Sequence, residues 1–263
     1  MLTLIRGAGD LASGIALRLY RSGMQVVMTD LEKPLAIRRT VAFSEAVVNG
    51  EAVVEDVTAK RAETAAEAME IVRSGKIAVL ADPELVEARK LHPDVLVDAI
   101  LAKRNLGTKM DDAPVVIGVG PGFTAGQDCH AVVETMRGHT LGRAIYRGSA
   151  LPNTNIPGLI GGFTGERVLR APKNGVFCSC RKIGDAVREG EIVGHVEDAA
   201  VSCTIGGVLR GLIADGTSVF EGLKIGDVDP RGEKDYCFTA SDKAIAIGGG
   251  VLEAILHLTH PFK

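Results

Sequence analysis

Leu2-Thr3-Leu4-Ile5-Arg6-Gly7-Ala8-Gly9-Asp10-Leu11-Ala12-Ser13-Gly14 opens the chain, and a second apolar run, Gln25-Val26-Val27-Met28-Thr29, ends at Asp30. A short strand, a Gly-x-Gly-x-x-Ala turn, a helix and an acid closing the next strand describe a βαβ unit that holds phosphate. Gly7 permits the tight turn, and Gly9 lets the backbone approach a pyrophosphate. Ala12 lets the helix pack close to the strand. The free N–H groups of the helix start, around Ala8, Asp10 and Leu11, bind the anion. Asp30, twenty-one positions after Gly9, would accept hydrogen bonds from a ribose 2′-hydroxyl and repel a 2′-phosphate. The alternative is a purely structural βα turn.

Working outward, four further apolar strand candidates follow the first: residues 25–29, 77–81, 95–97 and 115–119. Their continuous Val, Ile, Leu and Ala content implies burial on both faces, hence a parallel sheet covered by helices. Helical stretches are expected at 11–22, 63–74, 84–90 and about 99–104. The strands end at Gly7, Asp30, Asp82, Asp98 and Gly118, so glycines and acids gather along the carboxyl edge, where open α/β sheets bind ligands. Helix capping is the bland alternative for each Asp. Arg38 and Arg39, shortly after Asp30, could hold a phosphate or a pterin-linked anion by bidentate contacts, or form a solvated pair.

Length and composition bound the rest. A chain of 263 residues with 46% apolar and 24% charged residues can bury a large core or two smaller ones. Thirty bases against thirty-three acids give a net charge of −3, and only 4% of residues are aromatic, which argues against nucleic acid and anionic membranes as partners. No signal peptide and no transmembrane run is read, and the five cysteines fit reduced thiols in a cytoplasm better than a disulfide framework.

The second half holds an internal repeat. Gly175, Gly184, Val187, Gly190 and Gly194 recur, each 32 positions later, as Gly207, Gly216, Val219, Gly222 and Gly226. Each unit reads as short strands joined by glycine corners, and two such units about a pseudo-twofold make a small β sandwich. The Pro-x-x-Gly-Val start and Gly-Asp-x-Val-x-x-Gly turn resemble the biotinyl/lipoyl, or barrel-sandwich hybrid, fold. The loop near 196–205 carries no lysine to modify, so the resemblance implies a docking or structural module. The tail, 243–247 followed by Gly248-Gly249-Gly250 and an apolar helix, reads as a strand and helix returning to the first domain. The expected domains are therefore 1–150, 151–240 and 241–263.

Between the halves lies Gly118-Val119-Gly120-Pro121-Gly122-Phe123-Thr124-Ala125-Gly126-Gln127-Asp128-Cys129-His130. Gly118, Gly120 and Gly122 suggest unusual backbone angles or close approach to a ligand. Residues 130–136 and 141–146 flank Arg137-Gly138-His139 as a hairpin. Asp128, Cys129 and His130 are candidate chemistry, as metal ligands or as an imidazole-activated thiolate brought over Gly9 by the loop. Neighbours on a strand point to opposite faces, which weighs against Cys129 and His130 serving one centre. Cys178, Cys180, His195 and Cys203 lack metal-site spacing, and no metal is expected.

Together with Gly7–Gly14, residues 34–41, Asp98-Ala99-Ile100-Leu101-Ala102-Lys103-Arg104-Asn105 and Ala246–Gly250, this loop resembles the YqeB-type family, accessory proteins of selenium-dependent molybdenum hydroxylases. The family has a distant likeness to the Rossmann-like part of the XdhC/CoxI maturation factors. The resemblance covers nearly the whole chain. It implies a Rossmann-like α/β domain followed by the barrel-sandwich β domain, and maturation of a molybdenum cofactor or its hydroxylase client alongside other maturation proteins. Asp98 and Lys103 enter as ligand contacts on the same basis. A dinucleotide molybdopterin carries a pyrophosphate, so the Gly7–Ala12 turn suits a nucleotide or a molybdopterin-type cofactor as well as NAD. Two other readings remain: an NAD-dependent oxidoreductase, which lacks an evident proton-transfer Lys, His or Tyr, and a non-enzymatic carrier or scaffold. Whether the chain is an enzyme or a homo-oligomer is left open.

Overall fold

The computed structural model describes residues 1–154 and 156–260, which divide into two units. The first comprises 1–34, 42–153 and 240–260, and the second 35–41 and 154–239.

In the first unit the strands are β1 (Leu2–Arg6), β2 (Gln25–Thr29), β3 (Glu51–Val54), β4 (Val57–Ala62), β5 (Ile77–Leu80), β6 (Val95–Asp98), β7 (Val115–Val119), β8 (Thr124–Ala125), β9 (Ala131–Val133), β10 (Ala144–Ile145) and β11 (Gly148–Ser149). The helices are α1 (Asp10–Arg21), α2 (Glu45–Asn49), α3 (Ala65–Arg73) and α4 (Asp242–Thr259). Nine strands form one mixed sheet in the order β10-β9-β7-β6-β1-β2-β5-β4-β3, among the described residues. The run from β9 to β4 is parallel, and antiparallel partners close both edges. From β1 the chain passes to β2, runs to the β3–β4 hairpin at the far edge, returns through β5 and crosses β1 to β6 and β7, so the strand order reverses between β1 and β6. That crevice is where α/β sheets bind ligands.

Burial on both faces explains the unbroken apolar runs. Leu4, Val27, Ala78, Leu96 and Val116 stand in register across five strands. They share one core with Ala68 and Val72 of α3, Phe123 and Cys129. Alternate residues Ile5, Met28, Val79, Val97 and Ile117 are buried too. α1 lies over β1 and β2, and α4 over β7, β9 and β10.

Three expectations for this unit need correction. Residues 243–247 are not a strand: α4 runs unbroken from Asp242, with the Ser241 hydroxyl accepting the Ala244 N–H at 3.1 Å. Two of its three glycines, Gly248 and Gly250, let backbones meet. A Cβ on Gly248 would lie 2.8 Å from the Gly14 carbonyl oxygen, and one on Gly250 would overlap the Gly142 carbonyl. A short apolar run cannot by itself be told from a buried helical segment. Residues 99–104 form no helix, since Leu101 and Lys103 take φ of +61° and +63°. The stretch 84–90 yields only a 3-10 turn at Ala88–Leu91, where the Asp82 carboxylate accepts the Val86, Glu87 and Ala88 N–H groups. The β3–β4 hairpin and α2 were not anticipated. The hairpin between 130 and 146 is present, with Val133 opposite Ala144.

The second unit is β12 (Val168–Arg170), β13 (Gly175–Ser179), β14 (Ala186–Val187), β15 (Ile192–Val196), β16 (Ala199–Ser202), β17 (Gly207–Leu212), β18 (Ser218–Val219) and β19 (Lys224–Asp229). They make two four-stranded antiparallel sheets, β12-β19-β17-β14 and β16-β15-β13-β18. The 32-residue repeat is structural: β13, β14 and β15 return as β17, β18 and β19. Each corner strand is exchanged, with Val187 opposite Gly207 and Val219 opposite Gly175. The turns match as well. Gly190 N–H donates to Cys203 O at 2.7 Å, and Gly222 N–H to Ala171 O at 2.9 Å. Phe177 and Leu209, equivalent by the repeat, share one buried core. The exchange lets two short repeats bury a common apolar interior that neither could enclose alone.

Candidate functional site

Gly7 takes φ +106°, and a Cβ there would lie 2.9 Å from the Ala99 carbonyl oxygen, so the loops after β1 and β6 touch only because this residue is glycine. Gly7 N–H donates to Thr29 O at 2.8 Å. Ala8 N–H donates to Asp30 Oδ2 at 2.8 Å, while Asp30 Oδ1 accepts Leu31 N–H at 2.8 Å. Burial pushes the Asp30 carboxyl above the usual carboxylate range, opposed by those two N–H groups. Beneath the turn, the buried Ser13 hydroxyl accepts Phe43 N–H at 2.8 Å and donates to Ala8 O at 3.2 Å. Asp30 thus braces the glycine turn.

Gly9 is the open position. It is the N-cap of α1, with φ −68° and no side-chain cap, and a Cβ placed on it meets nothing within 4 Å. The α1 start therefore leaves the space over Gly9 sterically open, as a phosphate-binding turn requires.

Three basic residues of the same unit act on one another electrostatically: Lys103 after β6, Arg137 after β9, and Lys243 in the first turn of α4. Gly14 lies against Ala244, and Arg18 against Gly248, so α1 and α4 run parallel with their first turns abreast. Half-buried Lys243 is pushed below the usual lysine range by burial and by the Lys103 and Arg137 cations, with Asp10 and Glu134 opposing. Lys103 counts as an exposed residue, yet the atoms around its ammonium desolvate it enough to lower its pKa too. Arg137 makes a bidentate pair with Asp242 at 2.7 and 2.8 Å. The buried Glu134 carboxylate accepts Met136 N–H at 2.6 Å and Leu151 N–H at 2.8 Å.

Other residues marked in the sequence are engaged elsewhere. Asp98, 2% exposed, accepts Thr108 Oγ1 at 2.6 Å and Ile100 N–H at 3.2 Å, and pairs with Arg6 Nη1 at 3.4 Å. Gly118, Gly120 and Gly122 give room to their own neighbours: the Phe123 ring, Thr135 Oγ1 and the Arg104 backbone. Arg38 lies in the second unit, donating to Tyr236 O at 3.0 Å and Thr239 O at 3.2 Å.

Asp128, Cys129 and His130 are not gathered over Gly9. Val132 stands in register with Gly118 at the carboxyl edge, so His130 lies two residues toward the amino end. There its Nδ1 accepts Val116 N–H at 3.0 Å and its own N–H donates to Val116 O at 2.8 Å. Asp128 Oδ2 accepts Thr124 N–H at 2.8 Å. Cys129 is fully buried in the core, which pushes its thiol up to about 11, so it is protonated at neutral pH. The glycine-rich loop leads back down the sheet to start a parallel strand, and that path draws the three residues away from the edge.

No family model matches the chain. It is 54% identical over 259 residues to a protein of Escherichia coli (strain K12) described as "Uncharacterized protein YqeB", covering 98% of this chain and 48% of that protein. It is a YqeB homologue. The chain spans about half the length of this curated YqeB relative. Among solved structures, an aspartoacylase family protein from Mesorhizobium loti is 11% identical, covering 86% of this chain and 84% of that one, at a TM-score of 0.28. A succinylglutamatedesuccinylase/aspartoacylase from Rhodobacter sphaeroides is 25% identical, covering 24% and 21%, at a TM-score of 0.22. Scores this low carry no argument about fold or activity.

Sequence reading of this YqeB homologue missed Lys243 and Arg137. Ser241-Asp242-Lys243 had the form of a helix N-cap and first turn, but the apolar run behind it read as a strand. A cavity of about 720 Å³ lined by Arg89, His92, Asp94 and Asp112 lies at the opposite, amino edge of β6 and β7. Two of its acids are engaged, Asp94 by Leu2 N–H at 2.7 Å and Asp112 by Lys109 N–H at 2.8 Å, and α/β sheets bind ligands at the other, carboxyl edge, which is the better candidate. Among the described residues no group of three or more His, Cys, Asp or Glu could hold a metal, and no helix is long and apolar enough to cross a membrane.

Proposed function

We propose that this chain is an accessory or maturation factor for selenium-dependent molybdenum hydroxylases, acting in the cytoplasm. In this reading the first unit is Rossmann-like and binds a nucleotide or molybdopterin-type cofactor over Gly7–Ala12. The second is a barrel-sandwich-hybrid-like module without a carrier lysine, which docks the hydroxylase client or another maturation protein. One observation carries the ligand reading: the uncapped, sterically open Gly9 turn, braced by Asp30 at the point where strand order reverses. The YqeB relationship supports the maturation reading, because the sequence resemblance was to that family.

Gly9 also supplies a clean test. Its φ suits any residue and its Cβ position is empty, so Gly9→Leu should fold normally while its side chain occupies the phosphate position. Titration calorimetry with ADP, NAD and molybdopterin should show binding to the native chain that Gly9→Leu abolishes. In cells, Gly9→Leu should leave the client hydroxylase inactive. A native chain that binds none of these ligands, and co-purifies with no molybdopterin fluorescence after oxidation, would overturn the proposal.

A further inference from the structure

From Gly148 to Gly165 the chain carries no charged residue, a run of eighteen positions in a sequence that is 24% charged. A buried stretch such as β7 is apolar because it lies in a core, but this run is exposed. Ile156 is 71% exposed, Leu159 67% and Phe163 37%. Exposed apolar side chains elsewhere stand beside charge, as Val86 does between Glu84 and Glu87 and Phe220 does before Glu221. Single exposed residues of that kind are ordinary, whereas a charge-free apolar protrusion marks a surface that a partner covers. The protrusion is also held in shape. Ile160 and Phe163 exchange both backbone hydrogen bonds, at 2.9 and 3.0 Å, around Gly161 and Gly162, whose φ of +55° and +87° close a two-residue hairpin turn. The buried Arg167 guanidinium, paired with Asp227, donates from Nη2 to Gly158 O at 3.2 Å. A Cβ on Gly161 would lie 2.9 Å from Pro230 Cγ, so the residue after β19 backs the turn. Side chains fixed in advance cost less entropy on association.

We propose that residues 156–163 are a docking finger whose occupant is the part of a YqeB-length protein that has no counterpart in this chain. The shared region takes in 98% of this chain but 48% of the Escherichia coli relative, so that relative carries a further stretch about as long as this chain. A further domain that packs on this one buries apolar surface, and an uncharged finger can be covered without stranding a charge away from water. Ile156, Leu159 and Phe163 would fill an apolar groove on that domain, with the Gly161-Gly162 turn at the tip. Two such fingers meeting about a twofold axis would bury far fewer than the about 20–30 residues a side of a stable interface, which argues against a second copy as the occupant. The finger lies in the second unit, so the inference rests on the reading that this unit docks protein and is independent of any ligand at Gly9.

The test compares two full chains, this one and the Escherichia coli relative. Leu159→Cys in this chain should react rapidly with a maleimide, followed site by site by peptide mass spectrometry. A cysteine at the aligned position of the relative should react at least about tenfold more slowly, since labelling there waits for the covering domain to open. In parallel, Ile156→Asp with Leu159→Asp should leave the melting temperature of this chain little changed, because both side chains are exposed. The paired change in the relative should lower its melting temperature by at least about 2 °C. Equal labelling rates in the two proteins overturn the inference. So does a loss of stability in this chain equal to that in the relative, which would mean that the finger serves only its own unit. Labelling at position 159 that slows as the concentration of this chain rises would identify a second copy as the occupant and overturn it too. None of these outcomes bears on Gly9→Leu or on ADP, NAD or molybdopterin binding, so the two readings fail separately.

Discussion

Replacing Asp98 should destabilise the first unit instead of weakening a ligand. Arg6 and Asp98 are 7% and 2% exposed, and they pair across adjacent strands. Arg6 Nη1 also donates to Leu106 O and Thr108 Oγ1, both at 3.1 Å, and Nη2 to Pro83 O at 3.2 Å. One guanidinium thus ties together the loops after β5 and β6. Asp98→Ala leaves that charge buried without its counter-ion, a change that costs about 3–5 kcal/mol. At about 2–4 °C per kcal/mol for a chain of this size, the midpoint should fall by about 6–20 °C. Thr108→Val keeps the ion pair but loses hydroxyl hydrogen bonds to both of its charged members, so its cost should be about 1.5–3 kcal/mol, below that of Asp98→Ala. Arg6→Met combined with Asp98→Leu should cost well under the sum of the single changes, because neither charge is then stranded. Urea denaturation followed by circular dichroism, with unchanged m values, measures each of these variants and the two single changes of the pair. A variant Asp98→Ala of native stability that loses ADP or NAD binding would refute this reasoning and return Asp98 to the ligand.

Other outcomes follow from particular contacts. Gly14→Val should cost about 1–3 kcal/mol, since its Cβ would lie 2.5 Å from the Ala244 Cβ, whereas Gly249→Ala in the same helix pair, with nothing within 4 Å, should gain up to about 1 kcal/mol by denaturant melting. In the repeat, Gly207→Ala should destabilise more than Gly175→Ala: the first meets the Asp229 carbonyl, the second mainly the flexible Glu197 side chain. Cys178 and Cys180 should react with a thiol reagent in the folded chain, while Cys129, Cys203 and Cys237 should wait for urea; fast labelling of Cys129 would contradict its burial. Because burial raises the folded Asp30 pKa above its unfolded value, its favourable contribution is present at low pH and lost as pH rises through the folded value. The stability of Asp30→Asn relative to the native chain should therefore improve from about pH 4 upward, and a flat difference would refute the shift.

The local pattern of Leu2–Asp30 determined a strand, a glycine turn, a helix and a bracing acid, because each depends on neighbours within a few turns of chain. The 32-residue glycine repeat likewise determined a duplicated β unit, since φ-positive corners at Gly184, Gly190, Gly216 and Gly222 need that residue wherever they occur. What lies beside what was another matter. Residues 243–247 read as a strand, and packing of Gly248 on α1 and of Gly250 on Gly142 made them part of a helix. Asp98 looked like a ligand contact until Arg6, 92 positions away, took its carboxylate. Cys129 and His130 looked available until the β7–β9 crossover carried them down the sheet. Backbone conformation is written locally, whereas the burial, charge partners and shared edges that make a site come from long-range packing that no single stretch of sequence displays.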